Sequence, residues 1–222
     1  MTDLQISSTR RSLATPRAAA VAGILFALLY GASVTLIRLA IPEEATVDSD
    51  VWLETNARAI SLALNLVPYA GIAFLWFIGV IRDRLGDVED RFFATIFLSS
   101  GLLFLALTFI GAALAGGLLS SFAAAPETIV SGGVFTYGRE VMFQVINVYA
   151  IRMASVFMLT LGSIWLRSGL MHRGWALLTY GLALVLLVSI SFSLWVTLIF
   201  PIWVLAVSVY FLIRTNAMAH KD

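Results

Sequence analysis

Apolar residues in this chain gather in six long runs, at approximately 18–41, 59–81, 92–119, 141–166, 174–191 and 193–213, with polar residues collected between them. A helix rises about 1.5 Å per residue, so about 20 mainly apolar residues cross a hydrocarbon layer about 30 Å thick. The pattern therefore predicts an all-α integral membrane protein, a bundle of six transmembrane helices. The last two runs are separated only by the turn around Ser191 to Ser193, which predicts a tight helical hairpin. A tail at 1–17, a membrane domain at 18–213 and a second tail at 214–222 complete the expected organisation.

The arginines and lysines orient the bundle, because basic residues in short loops stay on the cytoplasmic side. Arg10, Arg11, Arg17, Arg82, Arg84, Arg91, Arg167, Arg173, Arg214 and Lys221 fall on one side. Arg38, Arg58 and Arg139 fall on the other, with the acidic cluster Glu43, Glu44, Asp48, Asp50 and Glu54. Both termini are thus expected to be cytoplasmic, in a cell membrane read as a bacterial inner membrane. Arg10-Arg11 resembles an export signal, but the apolar run after it is far longer than the 7–15 residues of a signal peptide, so the pair reads as a topology anchor.

Inside the spans, small residues recur every four positions in the first helix: Ala19, Gly23, Ala27, Gly31 and Thr35. Such a ribbon predicts close backbone packing against another helix of the chain or of a partner. A fainter pattern relates Gly79-x-Ile81-x-x-Arg84-x-Gly86 to Gly162-x-Ile164-x-x-Arg167-x-Gly169. Read as a repeat, it would pair the hairpin at 59–119 with that at 141–191. Pro68 and Pro201 each withhold an N–H from a carbonyl four residues earlier, so both predict kinks.

Composition narrows the function. The chain is 60% hydrophobic and only 12% charged, with a mean hydropathy of +0.96. A soluble domain carries about 25% charged residues, so lipid solvates most of this surface. The net charge of +1 offers no field for nucleic acid. There are no cysteines, and the two histidines, His172 and His220, lie outside the spans. Neither a catalytic constellation, a metal site nor a cofactor site is legible, and no enzymatic activity is expected.

One charge calls for explanation. Arg152 stands between Arg139 and Arg167, which read as the two ends of the fourth span, and so is expected near the bilayer centre and facing the bundle interior. No carboxylate shares that depth. Tyr149, on the same helix face, and Asn65 and Tyr69 are the candidate neighbours, with Gln144 and Asn147 as further neutral groups. A guanidinium so placed is either held structurally by carbonyls and amides or awaits an anion. The leading expectation is a small membrane protein that binds or moves a small anionic solute or lipid through an outward-facing polar cavity near Arg152. The alternative is a structural or accessory subunit packed against a membrane-protein partner or a homo-oligomer.

Overall fold

A computed structural model of the chain describes residues 2–40, 49–85, 91–124, 132–169, 171–188 and 194–219, with side chains described within 18–40, 56–83, 91–124, 132–169, 171–188 and 195–213. The acidic cluster, the N-terminal arginines and the turn at Ser191 to Ser193 lie outside those side chains. Six helical rods follow one another: α1 Thr2–Ala40, α2 Ser49–Leu85, α3 Arg91–Ala124, α4 Val134–Ser168, α5 Arg173–Val188 and α6 Ile199–Ala219, the last entered through a 3-10 turn at Leu194–Leu198. The protein is an all-α membrane bundle. Five rods contain a segment long and apolar enough to cross a membrane, whereas α5 is a shorter apolar helix.

Several boundaries exceed the apolar runs. Helix α1 already begins at Thr2, so the backbone before the apolar segment Ala18–Ala40 is helical as well. Helices α2, α3 and α4 run beyond their apolar stretches, to Ser49 and Leu85, Ala124, and Val134 and Ser168. Gly133, at φ 69°, starts α4, and Gly169, at φ 65°, ends it while donating its amide to the Trp165 carbonyl at 3.1 Å. Both positions need the left-handed conformation that glycine adopts without strain. Pro201 is the third residue of α6, directly after the 3-10 turn at Leu194–Leu198.

The middle of the bundle is aromatic. Phe26 of α1, Phe74 of α2, Phe104 of α3, Phe157 of α4 and Phe200 of α6 are all fully buried. Their centroids approach to 4.6 Å for Phe26–Phe74, 4.7 Å for Phe104–Phe200 and 5.4 Å for both Phe74–Phe104 and Phe74–Phe157. One ring from each of five helices thus fills the axis in mostly tilted and edge-on contacts, the arrangement favoured by the ring quadrupole. Helix α5 joins from outside this layer. The Ser155 hydroxyl donates to the Ala183 carbonyl at 2.7 Å, and Trp203 Nε1 donates to Thr179 Oγ1 at 3.0 Å.

The first-span ribbon is half engaged. Ala19, Gly23 and Ala27 are buried, and a Cβ on Gly23 would run into Ser208 Oγ and stand 2.8 Å from the Phe77 ring. At Gly31 nothing lies within 4 Å of such a Cβ, and Thr35 is only half-buried. The reason is rotational: at about 100° per residue, each four-residue step turns the ribbon about 40° further around α1. The buried line instead alternates steps of four and three, through Ala19, Gly23, Phe26, Tyr30 and Ser33. The suggested repeat is mixed in environment, since Ile81 and Ile164 are both buried but the glycines differ. Gly79 is exposed, whereas its counterpart Gly162 packs against Thr179 and Tyr180 of α5.

Candidate functional site

Helix lengths relate the polar groups of different helices to one another. About twenty residues of helix cross a 30 Å layer. Counted from Arg167, Arg91 and Arg82 at the arginine-rich end, twenty residues lead to Asn147, Gly111 and Leu62; counted from Ala18, they lead to Arg38. These positions form one level: Arg38 donates a hydrogen bond to Asn147 Oδ1, and a Cβ on Gly111 would stand 2.7 Å from Ile146 Cδ1. Beyond it, α2, α3 and α4 continue as a collar around a second apolar cluster of Ala40, Ile60 and Phe122. Arg139, paired with Glu140 at 3.1 Å, belongs to that collar. Arg152 stands five residues beyond Asn147 along α4, about 7 Å by helical rise.

At that level α4 leaves regular α-helix. Gln144–Ala150 is π-helical, between the α-helical pieces Val134–Phe143 and Ile151–Ser168. A π turn shifts the backbone ladder by one residue, and such turns concentrate at functional sites. Side chains attend to its carbonyls: Asn147 Nδ2 donates to the Phe143 carbonyl at 3.1 Å, and an Arg152 guanidinium nitrogen donates to the Val148 carbonyl at 3.1 Å. Asn147 therefore works in both directions, as a donor to its own helix and as the acceptor for Arg38.

The expected cluster around Arg152 does not assemble. Arg152 is half-buried, and among the described residues its hydrogen bond is to its own helix. Tyr149 is 58% exposed and Tyr69 64% exposed; Asn65 is exposed as well. All three look outward from the bundle. Sequence reasoning missed Arg38, because an arginine one turn from the end of an apolar run reads as an interfacial anchor. The available signal was Asn147, a carboxamide at the same level on a different helix face from Arg152.

Beneath Arg38 on the same helix, Tyr30 is buried, with its ring stacked on Phe26 at 5.3 Å. Its hydroxyl is turned towards Thr108 but has no hydrogen-bond partner within bonding geometry among the described residues, and the Thr108 hydroxyl donates to the Phe104 carbonyl at 2.8 Å. A guanidinium, a carboxamide and an uncommitted phenol thus occupy the far half of the bundle, on α1 and α4, above the aromatic layer. Comparison with family models, with curated proteins and with solved structures returns no match for this chain.

Proposed function

We propose that this chain is a non-enzymatic multi-pass protein of a cell membrane, read as a bacterial inner membrane with both termini cytoplasmic, and that it binds a small anionic solute or the headgroup of an anionic lipid at its outward-facing end. The site is centred on Arg38 and Asn147, with Arg152 about one and a half turns further in. The observation that carries this reading is the Arg38–Asn147 hydrogen bond between α1 and α4, above a buried Tyr30 hydroxyl that has no hydrogen-bond partner among the described residues. Guanidinium and phenol donors suit an oxyanion, and a charge-assisted bond is stronger than a neutral one. The five rings below favour binding over passage, since they fill the axis the ligand would have to follow.

The test is to identify anionic lipids and solutes bound to the purified protein, then repeat the measurement on Arg38→Met and Arg152→Met. Arg38→Met is expected to lose the bound anion. Arg152→Met is expected to keep it while losing about 1 kcal/mol of stability, the worth of one backbone-directed hydrogen bond. Retention by Arg38→Met, with loss from Arg152→Met, would move the site back to Arg152. Orientation is tested separately with an impermeant thiol reagent, since the chain has no cysteine of its own. Tyr137→Cys, in the collar, should label in intact cells, and His172→Cys should be protected; the reverse pattern would invert the protein.

A second reading is a structural or accessory subunit. It is favoured by Gly31, whose side of α1 meets nothing within 4 Å in the single chain and is flat enough for a partner helix.

A further inference from the structure

The outward face of α2 carries Leu62, Asn65, Tyr69, Ile72, Trp76 and Gly79, all exposed. Their spacing alternates three and four residues, which follows from lying opposite the buried line of the same helix and by itself means little. Their chemistry means more. Asn65 lies inside the apolar segment Asn56–Asp83, which is long enough to cross a membrane, and its carboxamide makes no hydrogen bond among the described residues. One turn on, Pro68 has no N–H to offer the Leu64 carbonyl. Lipid tails can satisfy neither group.

We infer that this face of α2 is where a second copy of the chain docks, the two α2 helices running parallel about a two-fold axis along the membrane normal. The carboxamide is what points to a copy of itself. It is both donor and acceptor, so a two-fold axis beside Asn65 lets each side chain donate to the other. At the arginine-rich end Asp83 continues this face and Arg82 flanks it, both exposed, so that each copy's long Arg82 side chain can reach across to the other copy's Asp83. Gly79 meets nothing within 4 Å where a Cβ would stand, leaving room for close approach. Three-and-four spacing suits the left-handed crossing common to membrane helix pairs. The Arg152 face offers no such pairing, because a two-fold axis there would oppose two guanidiniums. Docking through α2 does not depend on the anion site.

The experiment uses the full chain in its native membrane. Ile72→Cys or Trp76→Cys, oxidised there, should cross-link to a species of twice the chain mass, whereas Leu184→Cys, exposed on α5, should not. Asn65→Leu should weaken association about tenfold by energy transfer between labelled copies in lipid, as expected for two inter-helix side-chain bonds, with Asn65→Gln recovering part of it. Arg38→Met should leave the cross-link unchanged. Cross-linking to a protein of another mass would replace the second copy by a different partner and overturn the proposal. So would equal cross-linking through Leu184→Cys, or an unaltered association constant in Asn65→Leu.

Discussion

Gly23→Leu is expected to lower the stability of the detergent-solubilised protein by about 3 kcal/mol, near the upper end of what overpacking a tight core costs. A first side-chain carbon at this position already collides with Ser208 Oγ and crowds Phe77. The serine can rotate; the phenylalanine cannot, because it is fully buried and stacked on Phe74 at 6.2 Å. The remaining atoms of leucine would therefore push α1 away from α6 and α2. Gly31→Leu, two turns along the same helix, should change stability by about 0.5 kcal/mol or less, as for a surface substitution. Thermal unfolding of the two variants beside the parent chain makes the comparison. Equal losses would mean that α1 is held along the whole four-residue ribbon; equal tolerance would mean that α1 and α6 are not in contact at Gly23.

This contrast shows where sequence reasoning succeeds and where it stops. Ala19, Gly23 and Ala27 of the ribbon are buried, and Gly23 stands against Ser208 and Phe77. The ribbon fails further along because spacing alone does not reveal the twist of the neighbour. Helix identity was legible from apolar run length, a local property. Helix ends were not, because amphipathic and polar helix such as the start of α4 looks like loop when judged by hydropathy. The site shows the same limit: Arg152 reads from sequence as a mid-span charge in need of partners, whereas among the described residues its hydrogen bond stays within its own helix. Arg38 and Asn147 stand 109 positions apart. Their meeting depends on how α1 and α4 pack across the bundle, which no local pattern encodes. The π-helical turn is also silent in sequence, since Gln144–Ala150 contains neither glycine nor proline to mark it.

Phe104→Ala is expected to cost about 3–5 kcal/mol, the range for removing a buried aromatic side chain and leaving a cavity. Phe104 touches rings on three other helices, with centroids at 5.6 Å to Tyr30, 5.4 Å to Phe74 and 4.7 Å to Phe200. Few positions join so many rods at once. The rings are anchored to separate backbones, so collapse into the vacated space would require rigid helices to move, and the void should persist. Phe104→Leu, which refills part of it, should recover part of the loss, and Phe92→Ala, at an exposed position of the same helix, should cost far less. The substitution also tests how the site relates to the membrane interior. With the axis filled, liposomes containing the parent chain should hold a small-anion gradient as well as empty ones. Where Phe104→Ala remains folded, it should shorten the route from the Tyr30 hydroxyl towards the arginine-rich end and raise anion leak. A folded Phe104→Ala protein with no added leak would show that the other four rings close the axis without it. Leak already present in the parent chain would show that the aromatic layer opens, and would turn the reading from binding towards transport.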